Sequence, residues 1–322
     1  MREYEEYKKA FLGAIMGVAI GDALGRPFEG WSHELLIKRF GLIVKIVNMY
    51  QGIYSDDTEM TIGIMEAIIE DPSLPPEGIA RRFAENYNAW RGYGPRTHLA
   101  IRNLKKGLPW DQVGSDSWGN GAAMRVSPIG LFYFDDLEKV KEKATLSAVI
   151  THKHPEAIAG SVAQALGVAF LTRKRGEKEG FSPQEMIDLI TEMTSPISPA
   201  FSREIEKVKE IPFCDTLLEK VAFLAKSFPC DVSAKGSVPV AFASFLMSSS
   251  FKEALLISVN VGGDTDTICA MTGALAGAYY GFSSIPSDWL EKLEDGPKGR
   301  TYILTLAQKL YEMKFHEKSR FS

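Results

Sequence analysis

Read by the spacing of its apolar and polar positions, most of this chain is helix. The pattern predicts helices over Glu5–Leu24, Thr58–Glu70, Pro76–Arg91, Thr97–Lys106, Gly121–Tyr133, Leu137–Ile150 and Pro155–Arg173. Further along it predicts Pro183–Thr194, Ser202–Glu210, Asp215–Ser227, Val238–Ser248, Phe251–Asn260, Thr265–Tyr280 and Tyr302–Phe315. Several open with Pro or a small polar residue, as a first helical turn prefers. One strand is expected, Leu42–Val47, and Val259–Val261 is too short to assign. Strands and helices do not alternate, so a doubly wound α/β sheet fits poorly. Lys174–Gly180 and Asp295–Gly299 read as short charged turns rather than linkers, so one all-α domain over residues 1–322 is expected.

Within the first helix Gly13, Gly17, Gly21 and Gly25 recur every fourth residue and form one smooth stripe. Each glycine costs a helix about 1 kcal/mol relative to Ala, so a close-packed backbone neighbour is the expected compensation. The stretch Ala10–Leu24 is fifteen residues and contains Asp22; it reads as too short and too polar to span a bilayer. Met1–Lys9 balances three acids with three bases and lacks a basic leader region.

Composition narrows the class. At 322 residues, 45% hydrophobic, 24% charged and with net charge −4, the chain has no basic excess for general nucleic-acid binding. Cys214, Cys230 and Cys269 show no paired spacing, which argues against disulfides or a zinc knuckle and for a cytoplasmic setting. Neither a membrane partner nor a partner subunit is expected, and a monomer is the default.

Two short phrases carry the chemistry: Ser55-Asp56-Asp57-Thr58-Glu59 and Gly262-Gly263-Asp264-Thr265-Asp266-Thr267. Each sets carboxylates and hydroxyls directly ahead of an apolar helical run. Taken singly, either is better explained as a helix cap with acids in the first turn. Taken together they hold more acid than capping needs, and carboxylate with hydroxyl is the ligand chemistry of Mg²⁺ or Mn²⁺. Glu29, in the turn-rich Gly25–Gly30 stretch, adds a fifth carboxylate to Asp56, Asp57, Asp264 and Asp266. Two divalent cations would nearly cancel the five charges and keep all five ionised. Separately, Gly119–Arg125 reads as a flexible loop opening a helix, where backbone N–H groups suit a phosphate, although taken alone a plain Asn-Gly turn explains it better. His152 and His154 flank Lys153 before a Pro-started helix. Asp22 is expected to anchor a neighbouring loop, and Trp90, Trp110 and Trp118 to pack in the core sooner than stack on a ligand.

Five motifs in order resemble the ADP-ribosylglycohydrolase family: Gly17–Gly25, Ser55–Thr58, Trp118–Arg125, Thr151–Pro155 and Gly262–Thr267. The resemblance runs nearly end to end. It implies an orthogonal all-α bundle and two Mg²⁺ or Mn²⁺ ions held by Ser55, Asp56, Asp57, Asp264, Asp266 and Thr267. Ser55 stands where the family often has Thr. Glu29 matches an acid that is a ligand or a gate. Gly119, Asn120, Gly121, Met124, Arg125 and His152 match the ADP-ribose-binding set, Arg125 either meeting phosphate or pinning an acid, with His154 structural. The implied activity is hydrolysis of the C1″ glycosidic bond between ADP-ribose and an acceptor, a protein or small molecule. Asp56 or Asp57 is the expected proton-transfer group and Glu29 a further catalytic candidate. A metal-dependent phosphohydrolase is the enzymatic rival, because Asp264-Thr265-Asp266-Thr267 faintly matches a phosphatase nucleophile loop. A non-catalytic ADP-ribose reader is the other.

Overall fold

The computed structural model describes residues 2–45, 50–177 and 180–316. Among the described residues are seventeen α-helices joined by short turns and 3₁₀ segments, with one two-stranded antiparallel sheet. The fold is all-α.

Its axis is an antiparallel pair, Arg2–Gly25 against Thr265–Tyr280. The glycine stripe is the reason they meet. A Cβ on Gly17 would lie 2.0 Å from the Gly273 carbonyl oxygen, and one on Gly273 would lie 2.0 Å from that of Gly17. Gly13 meets Gly277 in the same way, Gly21 meets Cys269, and Gly25 meets Thr265. The backbones therefore touch along four turns, which repays the poor helix propensity of the glycines with close contact. This register sets the end of the first helix, with Asp22, beside the start of the other, with Asp264 and Asp266.

Pro155–Glu177 and Ala234–Leu246 pack around this pair, and Arg300–His316 closes it against Asp56–Glu70. The Tyr4–Phe28 segment is long and apolar enough to cross a membrane, contrary to its reading as too short; 83% of its most apolar window is buried inside the protein, as in a core helix.

Several boundaries differ from expectation. Helix Pro76–Asn86 stops early, and Ala89–Arg91 forms a separate 3₁₀ turn. The predicted Gly121–Tyr133 helix is a 3₁₀ turn, Asn120–Ala122, followed by Ser127–Phe132, whose second residue is Pro128. Helices His33–Phe40, Trp110–Val113 and Ser287–Lys292 were not anticipated. Leu42–Lys45 forms no strand; residues 46–47 lie outside the described residues. Instead the Asn260 side-chain amide takes the place of a neighbouring strand, accepting from Ile43 N and donating to Ile43 O, both at 2.9 Å. The observed sheet pairs Trp31–Ser32 with Gly262–Gly263, where both glycines adopt positive φ. Helix Pro155–Glu177 continues into the expected Lys174–Gly180 turn, and residues 178–179 lie outside the described residues.

The Asp295–Gly299 turn is tied down. Lys298 Nζ bonds Glu66 at 2.7 Å and Asn86 at 2.6 Å, while Tyr54 OH donates to Lys298 O at 3.0 Å. Next to it, Glu294 accepts from Tyr54 N and Arg91, and so fixes the chain entering Ser55.

Candidate active site

Asp22 organises the first acidic phrase. Fully buried, it accepts from Ser55 N at 2.8 Å, Thr58 N at 3.0 Å and Thr58 Oγ1 at 2.5 Å. It thus satisfies first-turn donors of helix Asp56–Glu70 from a neighbouring helix, which is the anchoring role expected of it. Ser55 is the N-cap proper, its Oγ accepting from Asp57 N and donating to Asp57 Oδ2 at 3.1 Å. With the cap supplied by Ser55 and Asp22, the carboxylates of Asp56 and Asp57 are left for other work.

The second phrase departs from the capping explanation more sharply. Asp264 occupies the N-cap position of Thr265–Tyr280 but makes no side-chain cap bond. Its carboxylate instead accepts from the Asn120 amide at 2.5 Å. The two phrases meet where Thr267 Oγ1 donates to Asp57 Oδ2 at 3.5 Å, across 210 residues of sequence. Glu29 joins from the third side, with single carboxylate oxygens of Glu29, Asp264 and Asp266 within 4.8 Å of one another. Its turn is pinned at one end by Gly30 N donating to Gly263 O at 2.8 Å. At the other end Arg26 donates to Tyr54 O at 2.6 Å and Trp90 O at 3.1 Å.

Burial first, and mutual repulsion second, push the Asp56, Asp57 and Asp266 carboxyls well above the usual range. Burial raises Asp22 and Asp264 as well, against the hydrogen bonds that each accepts. Glu29 is raised by desolvation and then by Asp264. Asp57 Oδ1 is buried with no hydrogen-bond partner among the described residues. An orphaned carboxylate oxygen among crowded acids and hydroxyls fits a hard-cation donor set.

These acids floor a cavity of about 420 Å³. The wall that completes the cavity comprises Gly92, Gly94–Thr97, Ser117–Gly121, Met124, His152 and Val232. Gly121 is compulsory there, because a Cβ would lie 2.8 Å from His152 Cε1. His152 is buried, with Nδ1 bonded to Thr151 Oγ1 at 2.7 Å, and Thr151 Oγ1 also accepts from Arg125 at 2.8 Å. Burial, then the charges of Arg125 and Arg96, lower His152 to about 3. It is a neutral imidazole at ordinary pH.

Of the residues predicted from sequence, Glu29, Asp56, Asp57, Asp264, Asp266, Thr267, Gly119, Asn120, Gly121, Met124 and His152 all line this cavity. Ser55 sits behind it. Arg125 does not line it, and it lies in a turn rather than a helix. Its guanidinium is fully buried behind the wall, bonded to Ser147 O and Thr151 Oγ1 and seated 4.6 Å from the Phe83 ring. It acts on the pocket through His152 and not by touch. His154 caps the following helix, accepting from Glu156 N at 3.2 Å.

Core packing describes none of the three tryptophans fully. Trp118 lines the cavity half exposed, Trp90 is 88% exposed, and Trp110 is half-buried in another groove with its indole on Glu77. Sequence reasoning missed the Gly92–Thr97 wall, although its clustered glycines ahead of a Pro-started helix were a signal.

The all-α fold thus carries a buried acidic floor shared by two helix starts, beside a glycine-rich polar wall. Residues 3–319 match the ADP-ribosylglycohydrolase family model, and the chain belongs to that family. It is 35% identical to an uncharacterized protein of Archaeoglobus fulgidus, covering 95% of this chain and 97% of that one. It is 31% identical to ADP-ribosylhydrolase ARH3 of Xenopus tropicalis, covering 87% and 89%. With ADP-ribosylarginine hydrolase Tri1 of Serratia proteamaculans it shares 26%, over 97% and 81%. A solved chain of an ADP-ribosylglycohydrolase-related protein complex superposes with TM-score 0.71 at 27% identity, covering 97% of this chain and all of that one.

Proposed function

We propose that this protein hydrolyses the C1″ glycosidic bond joining ADP-ribose to an acceptor, using two divalent cations held by Ser55, Asp56, Asp57, Asp264, Asp266, Thr267 and Glu29. The observation that carries this reading is the meeting of the two acidic phrases at the Thr267–Asp57 contact, on the floor of a cavity walled by backbone amides and His152. Bound there, the cations would supply positive charge to fix the distal ribose hydroxyls and polarise water.

The chain's own groups divide the remaining work. Hydrolysis breaks the bond from C1″ to the acceptor atom, adds water oxygen to C1″, and returns a proton to the acceptor. Positive charge develops at the ribose ring on the way, and the acidic floor opposes it at short range. Asp57 is engaged with Ser55 and Thr267, whereas the Asp56 carboxylate lies in the cavity beside Gly92, and its hydrogen bond among the described residues is to its own backbone N–H. Asp56 is therefore the better proton carrier of the two. His152, neutral and wedged against Gly121, presents Nε2 to the ligand.

The test is release of ADP-ribose from a panel of arginine-, serine- and O-acetyl-linked substrates with Mg²⁺, Mn²⁺ or chelator. Cation-dependent release is expected, abolished in Asp264→Ala and cut roughly 100-fold or more in Asp56→Asn, the scale of a lost general acid–base. Tight ADP-ribose binding with no turnover of any substrate would make the protein a reader. Phosphate release from simple esters, without ADP-ribose release, would make it a phosphohydrolase.

A further inference from the structure

The first acidic phrase ends in a carboxylate that the floor does not use. Glu59 lies in the first turn of helix Asp56–Glu70, where an exposed acid favoured by the helix dipole is the ordinary expectation. It is 5% exposed instead, and it does not line the cavity. Burying a carboxylate is costly unless hydrogen bonds compensate it, so the groups that Glu59 holds define its work. Its Oε1 accepts from Asn88 N at 2.7 Å and from Tyr93 OH at 2.8 Å, and its Oε2 faces Arg91 Nε at 3.7 Å. All three partners belong to one short segment, residues 88–93.

That segment carries the wall to the floor. Ala89–Arg91 is a 3₁₀ turn, and Gly92 ends it at a φ of 95°, a left-handed conformation that glycine adopts without strain. The turn brings Gly92 onto the cavity, where a Cβ would lie 3.9 Å from Asp56 Oδ1. Asp56 and Glu59 stand three residues apart on one helix start, and so at neighbouring positions of its surface. A single turn of helix therefore carries both the proposed proton carrier and the clamp on the wall segment beside it. Arg91 is braced from its other side by Glu294 at 2.5 Å, and Trp90 O by Arg26 at 3.1 Å. The Ser117–Gly121 part of the wall has separate fastenings, Asn120 N on Val232 O and Ala234 N on Trp118 O, both at 3.0 Å.

We infer that Glu59 is a positioning residue, which holds residues 88–93 so that Gly92 stands beside the Asp56 carboxylate and the gap between them fits the departing acceptor. The acceptor's exit at Asp56 rests on the proposed hydrolysis, whereas the clamp rests on the hydrogen bonds alone. Glu59 acts through Gly92. Its loss should misplace the wall over Asp56 without removing any group from the cavity.

ADP-ribose release from the arginine-, serine- and O-acetyl-linked panel with Mg²⁺, and amide hydrogen exchange of the full chain, test this in the wild type, Glu59→Ala, Glu59→Gln and Tyr93→Phe. Misplacement by about 1 Å costs on the order of 100-fold, so kcat in Glu59→Ala should fall roughly 10- to 100-fold, with KM and Mn²⁺ affinity near wild type. The Asn88 and Arg91 amides should exchange faster in Glu59→Ala, with those of residues 262–267 unchanged. Glu59→Gln keeps an oxygen for Asn88 and Tyr93 and should retain most of the kcat and the protection. Tyr93→Phe leaves the helix start intact and should lose part of each. Should Glu59→Ala fail to fold, wild-type kcat and exchange in Tyr93→Phe overturn the inference. An unchanged kcat in Glu59→Ala overturns it even with faster exchange, because the clamp would then be structural only. So does a KM or Mn²⁺ affinity that worsens in step with kcat, or a Glu59→Gln as impaired as Glu59→Ala. Faster exchange in Glu59→Ala, with no ADP-ribose released by the wild type, removes the proposed activity and leaves the clamp standing. Wild-type turnover with unaltered kcat and exchange in every variant removes the clamp and leaves the activity.

Discussion

The floor and the wall of this cavity are built by opposite strategies. The floor takes four of its five acids from two phrases at helix starts, each fastened by hydrogen bonds: Asp22 under Ser55 and Thr58, and the wall's Asn120 on Asp264. The wall takes single residues from the Gly92–Thr97, Ser117–Gly121 and His152 segments, and its shape depends on missing side chains as much as on present ones. Charge density makes the floor, and backbone approach makes the wall. The floor should therefore fail by losing cations and the wall by losing ligand, and substitutions can separate the two.

The largest effect should come from neither surface but from the helix pair that carries the floor. Gly17→Val places a side chain where the Gly273 carbonyl oxygen lies 2.0 Å from an ideal Cβ. Backbone cannot yield there as a flexible side chain would, so a stability loss of about 3 kcal/mol or more is expected, with cation binding lost alongside. Thermal melts with and without Mg²⁺ check it. A Gly17→Val protein with wild-type Tm would refute the view that this contact sets the register of Asp22 against Asp264.

Next in size is Asp266→Asn, which strikes the floor alone. Supporting residues of metal sites typically cost 10- to 100-fold in affinity, and a direct ligand should reach or exceed the upper figure. Mn²⁺ affinity is expected to fall about 100-fold or more while ADP affinity falls far less. Removing one of several crowded acids should also relieve repulsion, so the chelator-treated variant should melt no lower than the chelator-treated parent. Equal losses of Mn²⁺ and ADP would mean that floor and wall are one unit.

This contrast also explains what could be read from the sequence. The acids were legible because hydroxyl and carboxylate chemistry is packed into contiguous phrases, and the Gly13–Gly25 stripe was legible because its spacing matches a helix face. Arg125 was not, because a conspicuous charge near a loop gives no sign of whether it points forward into a cavity or backward onto Phe83. The Leu42 segment reads as a strand because its apolar residues suit one; nothing local announces that Asn260, more than two hundred residues on, offers an amide in place of a neighbouring strand. The Gly92–Thr97 wall was overlooked for a related reason: its glycines announce a loop before a Pro-started helix, but His152, which lines the same cavity, lies more than fifty residues on.

The smallest effects, and the sharpest test of the wall, come from two histidines two residues apart. His152 lines the cavity and His154 caps a helix. His154→Ala should cost about 1 kcal/mol of stability, the scale of a lost cap, with ADP affinity unchanged. His152→Ala should weaken ADP about 10-fold or more. Because burial holds His152 near 3 when folded, against an ordinary 6.5, its charge should not change between pH 5 and 8, and it should add no inflection to ADP binding there. The same depression has a stability consequence of definite sign. The unfolded chain takes up a proton below about 6.5 that the folded protein refuses until about 3, so the contribution is fully present above 6.5 and drains away as pH falls. The slope it adds is at most about 1.4 kcal/mol per pH unit. Denaturant melts from pH 7 to pH 4 should therefore show a shallower decline in His152→Ala than in His154→Ala. Identical declines would place the His152 ring in contact with water and take away its role in shaping the wall.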